Sequence, residues 1–262
     1  MAKMTSTSSL ERIYSLKGRT ALVTGGGTGL GKAIATCLAQ AGAKVIIAGR
    51  RAEVLESACK DIGHGCCSLP LNLEKTDTIA AFAQTLATRF GPVDILVNNA
   101  GNTVKKPFEE SSLEDFDSVF DVHVRGALEL TRAIIKQMLV EEREGSILFT
   151  SSMTAYIGQP MVSGYTISKT AINGVVRALS AEFAGRGIRV NGVAPGWIDT
   201  ELYRAATSGD AARQTKILSR IPMGKLGDPE DIGWSCAFLA SAAAKYVTGQ
   251  VILVDGGGAT GF

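Results

Sequence analysis

The chain has 262 residues, 45% of them hydrophobic and 20% charged, with 27 basic and 25 acidic side chains and a net charge of +2. That balance offers nucleic acid or an anionic membrane surface no particular attraction. No run of about 18 apolar residues occurs, so no membrane span is expected. The length suits one domain with a sizeable core.

The start, Met1–Ser9, is rich in Ser and Thr and lacks the apolar core of a signal peptide. Residues 1–15 are expected to form a frayed tail, residues 16–262 the domain, and the compartment is expected to be cytoplasmic. Short apolar runs then alternate with helical patterns. Strands are expected at Thr20–Thr24, Lys44–Ala48, Leu69–Leu71, Ile95–Val97, Ser146–Thr150, Ile188–Val193 and Val251–Val254. Helices are expected at Gly31–Ala41, Ala52–Ile62, Asp77–Phe90, Phe116–Glu141, Tyr165–Ala184 and Pro229–Ala240. This alternation predicts an α/β fold built from right-handed crossover units around a parallel sheet. The uninterrupted apolar strands predict helices on both faces. The irregular stretch Trp197–Met223 follows a strand and is expected to be a lid.

The five cysteines, Cys37, Cys59, Cys66, Cys67 and Cys236, are odd in number and scattered. They read as reduced thiols rather than a disulfide framework. With only His64 and His123 available, no metal site is expected. His64, between two glycines, reads as an exposed loop residue. Phe82, Phe90, Phe116 and Phe120 read as core.

Thr24-Gly25-Gly26-Gly27-Thr28-Gly29-Leu30-Gly31 lies between the first strand and the first helix. Gly25 permits a tight turn, Gly29 lets the backbone approach a pyrophosphate, and Gly31 lets helix and strand pack closely. The helix start offers free N–H groups to phosphate. The second strand ends in Gly49-Arg50-Arg51, with no acid to select an unphosphorylated ribose. Arginine makes paired, charge-assisted bonds to phosphate. The expected cofactor is therefore NADP(H) rather than NAD(H). Tyr165 and Lys169, at i and i+4, share a helix face. A neighbouring ammonium favours phenolate and brings a tyrosine toward usable acid–base chemistry.

Taken together, these motifs resemble the short-chain dehydrogenase/reductase family from about Leu16 to Gly257. The resemblance rests on the glycine turn at Thr24–Gly31, Asn98-Asn99-Ala100-Gly101, Ser152, the Tyr165/Lys169 pair, Pro195-Gly196 and Val254-Asp255-Gly256-Gly257. It implies a doubly wound Rossmann domain of about seven strands and interconversion of a carbonyl and a secondary alcohol. Tyr165 is implied as the general acid/base and Ser152 as the holder of the substrate oxygen. Lys169 is implied to tune Tyr165 and to bind the nicotinamide ribose. The implied cofactor contacts also include Asn98, Ala100 and Gly101, with Pro195, Gly196, Ile198 and Thr200 near the carboxamide. A homotetramer or homodimer is implied as well, and Ala178, Ala181 and Ala184 are small enough for close helix contact.

Two positions depart from the family pattern. His123, in Val122-His123-Val124-Arg125-Gly126, stands where the family usually has an asparagine tied to a helix distortion and a water-borne proton path. Imidazole both donates and accepts, so it could preserve that relay or merely fill the space. Asn72, in Leu71-Asn72-Leu73, replaces the usual aspartate near the adenine; Asn72 and Leu73 are expected at the cofactor. Ser151 competes with Ser152, and family spacing favours Ser152. Tyr156, Trp197, Leu202 and Tyr203 are candidates for a substrate pocket. The substrate stays open between a 3-oxoacyl thioester and a sugar or sugar acid, the latter with NAD(H) as a possible partner. A non-catalytic dinucleotide-binding regulator is the rival from another class.

Overall fold

Seven apolar runs become seven strands of one sheet in the computed structural model, which describes residues Ser9–Gly261. They are β1 (Thr20–Thr24), β2 (Lys44–Gly49), β3 (Cys67–Pro70), β4 (Ile95–Asn98), β5 (Gly145–Thr150), β6 (Ile188–Pro195) and β7 (Val251–Val254). Their order is β3-β2-β1-β4-β5-β6-β7 and every pairing is parallel. Parallel neighbours need long crossovers, and helices supply them: α2 (Gly29–Gln40), α3 (Ala52–Ile62), α4 (Ile79–Phe90), α5 (Leu113–Phe120), α6 (Ala127–Val140), α7 (Ser163–Phe183) and α10 (Pro229–Ala240). Because side chains alternate along a strand, β1 feeds two cores. Leu22 joins α4, α6 and α7 on one face, while Ala21 and Val23 join α2, α3 and α10 on the other. Leu22, Ile46, Leu96 and Ile147 are fully buried, each contributing about 1.5–3 kcal/mol.

The expected strand and helix positions hold to within a few residues, with three differences. The expected tail carries a short helix, α1 (Ser9–Tyr14), none of whose residues is buried. It rests a ring contact from Tyr14 on Phe238, and Leu16 is the first core residue. Met1–Ser8 of that expected tail lie outside the described residues. The irregular Trp197–Met223 stretch is largely helical, with α8 (Glu201–Thr207) and α9 (Ala211–Ser219). Thr200 and Asp210 start these helices by accepting the Tyr203 and Arg213 N–H groups; short caps of this kind carry little apolar periodicity.

The third difference bears on function. The pattern Phe116–Glu141 reads as one helix, yet residues Asp121–Gly126 form a π-helical segment between α5 and α6. Such a wide turn admits an extra residue and re-aims the side chains in it. His123 lies in this segment and is buried.

Candidate active site

The chain leaves β1 toward β2 and returns to β1's other side as β4, so the strand order reverses between β1 and β4. Ligand crevices in such sheets open there, at the carboxyl ends of the strands. The loop after β1 and the loop after β4 meet closely. Gly25 has φ +66°, and a Cβ on it would lie 2.9 Å from the Ala100 Cα. A Cβ on Gly31 would overlap the Gly25 carbonyl oxygen. Thr28 caps α2 without a side-chain bond to the helix, and Thr28 and Gly29 are exposed beside Gly27 and Leu30. This cradle leaves the first α2 N–H groups facing outward, which fits a dinucleotide pyrophosphate.

Asn99 braces the crevice. Its amide donates to the Thr24 carbonyl oxygen at 3.0 Å, and its Oδ1 accepts from the Thr150 hydroxyl at 3.3 Å. The Thr24 hydroxyl accepts from the Asn99 and Ala100 N–H groups and lies 3.3 Å from the Val97 carbonyl. Thr24 therefore joins strand ends with its side chain. Asn98 turns the other way and donates to Thr131 of α6 at 2.9 Å, leaving its buried Oδ1 without a hydrogen-bond partner. Asn98 is the last residue of β4 and Asn99 the first beyond it, and adjacent extended residues point to opposite sides.

Tyr165 and Lys169 stand one turn apart on α7, with the Lys169 ammonium 5.4 Å from the Tyr165 ring centroid. Lys169 is buried and donates to the Thr150 carbonyl oxygen at 2.5 Å. Burial without a facing carboxylate brings its pKa from 10.5 down to about 7. Tyr165 is half-buried. Desolvation pushes its phenol above the ordinary 10, and a hydrogen bond with Ser152 pulls the other way. Desolvation outweighs the lowering influence at the phenol, so its pKa lies above the ordinary value rather than below it. Ser152 is buried, and its oxygen also accepts the Thr154 N–H at 3.1 Å. Ser151 is committed elsewhere: it donates to Asn173 at 2.7 Å.

His123 meets Tyr165 edge to face, with ring centroids 5.4 Å apart. Its Nε2 lies 2.8 Å from the Asn102 carbonyl oxygen and 3.1 Å from the Asn102 nitrogen. A Cβ on Gly101 would overlap the imidazole, so this glycine makes room for the histidine. Burial, then the neighbouring Lys169 charge, lowers the His123 pKa to about 3, and the ring is neutral at ordinary pH.

The constellation is a phenol bonded to a serine, backed by a buried lysine, beside a glycine cradle at the sheet's switch point. The family model described as enoyl-(acyl carrier protein) reductase matches residues 25–259. A 2-dehydro-3-deoxy-D-gluconate 5-dehydrogenase of Pseudoalteromonas atlantica is 41% identical over 249 residues, which cover 93% of this chain and 97% of that one. The chain belongs to the short-chain dehydrogenase/reductase family. This dehydrogenase/reductase is also 38% identical to a 3-oxoacyl-[acyl-carrier-protein] reductase of Thermotoga maritima, over 92% of this chain and 98% of that one. A gluconate 5-dehydrogenase of Burkholderia cenocepacia, crystallised with NADP and tartrate, superposes with a TM-score of 0.91 at 30% identity, covering 97% of this chain and 100% of that one. The protein is an NAD(P)-dependent oxidoreductase acting on CH–OH groups.

The remaining expected positions of this short-chain dehydrogenase/reductase divide between the crevice and the framework. Arg50 and Arg51 follow β2 and are exposed. The Asn72 Oδ1 accepts the Glu74 N–H at 3.1 Å, leaving its NH2 group as the donor toward a base. Leu73 is buried in the core against Gly126 rather than presented to solvent. Pro195 ends β6, and the Gly196 N–H donates to the Val254 carbonyl oxygen at 3.0 Å. Ile198 is buried and bridges Gly227, while the Thr200 hydroxyl caps α8. Tyr156 points its hydroxyl toward the Val251 carbonyl oxygen, 3.5 Å away, and toward Asn173. The Trp197 ring packs near Gly258 in the C-terminal turn. Leu202 is exposed and Tyr203 half-buried on α8. Among the described residues no helix is long and apolar enough to cross a membrane.

Proposed function

We propose that the protein uses NADP(H) to interconvert a carbonyl and a secondary alcohol within one domain running from residue 16 to 262. The observation that carries this reading is the Ser152–Tyr165–Lys169 cluster beside the β1/β4 crevice. The nicotinamide, when bound, supplies or accepts the hydride. In reduction, Tyr165 donates its phenolic proton to the carbonyl oxygen as negative charge builds there. Ser152 donates a second hydrogen bond to the same oxygen and strengthens as the charge grows. Lys169 lies behind the ring, where its ammonium binds the ribose hydroxyls and favours the phenolate left after transfer. Thr24, Gly25, Gly27, Thr28, Gly29, Leu30 and Gly31 hold the pyrophosphate end. Arg50 and Arg51 take the 2′-phosphate; Asn72 and Leu73 border the adenine. Ala100 and Gly101 shape the crevice floor, Asn98 supports it from behind through Thr131, and Pro195, Gly196, Ile198 and Thr200 border the carboxamide.

The experiment is a spectrophotometric assay of NADPH oxidation with ketones, keto sugar acids and 3-oxoacyl thioesters, run in parallel with NADH. Turnover of at least one class with a preference for NADPH is expected. NAD(H) favoured by about tenfold or more overturns the cofactor assignment, a difference of about 1.4 kcal/mol. Silence across the panel with tight cofactor binding favours a regulator. The Pseudoalteromonas and Burkholderia relatives place sugar acids first in the panel.

His123 has a proposed part in proton supply. Its Nε2 is engaged by Asn102, so Nδ1 is the nitrogen left for a water-borne path toward Lys169. With Nε2 held by that backbone, the ring orders a water through Nδ1, and the water carries the proton. His123→Asn is expected to move the pH–rate profile and the solvent isotope effect on kcat; if both stay unchanged, the ring only fills space. We further propose a cytoplasmic homotetramer or homodimer. Ala178 and Ala181 are exposed along α7 and Ala184 just past its end, and β7 is an edge strand, with Trp234 and Tyr246 also exposed. A solution mass that is a multiple of 27.4 kDa is expected, and a monomer mass rules the assembly out.

A further inference from the structure

β2 and β3 end side by side: Gly49 pairs with Pro70, and the Leu71 N–H donates to the Gly49 carbonyl oxygen at 2.8 Å. The residues that follow each strand therefore emerge at the same edge. Arg50 comes from one strand and Glu74 from just beyond the other, and their side chains form an ion pair, Nη1 to Oε1, at 3.5 Å. Glu74 is held in place through its own backbone, whose N–H donates to Asn72 Oδ1. That bond leaves the carboxylate free to face the arginine. Arg51, one residue on, is exposed and makes no ion pair among the described residues.

We infer that Glu74 tempers the preference for NADP(H) by occupying Arg50, the cation offered to a 2′-phosphate. This rests on the NADP(H) reading above. A guanidinium binds phosphate best through two parallel N–H bonds, and Glu74 competes for that fork. That competition does not oppose a cofactor whose ribose ends in a hydroxyl, because a carboxylate accepts a hydrogen bond from one. Glu74 thus brings, from the end of β3, the acid that is missing after β2. It narrows the margin by which NADP(H) is preferred over NAD(H).

The pair is exposed, and exposed pairs are weak, so the effect is modest and must be read from binding rather than turnover. Dissociation constants for NADP and NAD are measured by calorimetry on the wild type, Glu74→Gln, Arg50→Met and the double variant. Glu74→Gln is expected to tighten NADP about two- to fivefold, as suits an exposed pair, without tightening NAD. In the Arg50→Met background the gain is expected to vanish, the signature of coupling through one partner. An unchanged or weaker NADP affinity in Glu74→Gln overturns the inference. So does a gain that persists without Arg50, because Glu74 then acts on the phosphate directly. A wild type that binds NAD about tenfold more tightly than NADP instead sinks the underlying NADP(H) reading, whatever Glu74→Gln does.

Discussion

Tyr165→Phe is expected to lower kcat at least about 100-fold, the usual scale of general acid catalysis, while NADPH binding stays nearly unchanged. The separation follows from what the ring touches. Its edge-to-face contact with His123 and its position over Lys169 involve the ring, which phenylalanine retains. Only the hydroxyl and its bond with Ser152 are lost, and Ser152 keeps its bond from the Thr154 N–H. Single-turnover rates with titrated cofactor binding check this; a variant keeping more than about a tenth of wild-type kcat means that another group supplies the proton. Direction matters as well. Burial holds the phenol protonated through neutral pH, which is the form that reduction consumes. Oxidation needs the phenolate, so its rate is expected to climb with pH while reduction stays flat near neutrality.

Lys169→Met is expected to cut kcat by a similar factor and yet to stabilise the cofactor-free protein near pH 7. The two effects share one cause, a buried ammonium whose one observed bond is to the Thr150 carbonyl oxygen. In the unfolded chain the lysine titrates at its ordinary 10.5; in the fold its pKa is about 7. Between these values the unfolded state binds more protons, so stability rises with pH across that window. Below about pH 7 both states are charged and the folded one carries the whole desolvation cost, on the order of a few kcal/mol. Methionine removes both the cost and the slope. The thiols of buried Cys37 and Cys236 and of half-buried Cys66, pushed above their ordinary 9 by desolvation, work against stability at alkaline pH. The difference between wild type and variant cancels them. Thermal melts at about pH 6.5 and 9 check the prediction. A variant that melts lower at both pH values shows that the bond to Thr150 outweighs the cost of burial.

Much of this site is legible in the chain because local chemistry dictates it. A turn that must pass Gly25 against Ala100 and Gly31 against Gly25 needs glycine, so the cradle is written as glycines between an apolar run and a helix. The i, i+4 spacing brings Tyr165 and Lys169 to one face wherever the helix goes. Other features depended on partners distant in sequence. At Thr24 and Leu73 the side chains brace strand ends and fill the core through contacts with residues far along the chain. Asn99 braces the crevice through partners some 50–75 residues away, so no local pattern assigns it that part.

What the sequence alone determined is the alternation of strands and helices, the glycine turn and the types of reactive group, all of which arise from interactions within a few residues. The tertiary structure decided the charge states and the aim of those groups. Lys169 loses its proton readily only because distant elements exclude water around it. His123 faces Tyr165 only because the helix widens into a π turn and Gly101 makes room. Arg50 meets Glu74 only because two strands end together. Desolvation and pairing depend on which segments pack together in space, and no periodicity along the chain encodes that.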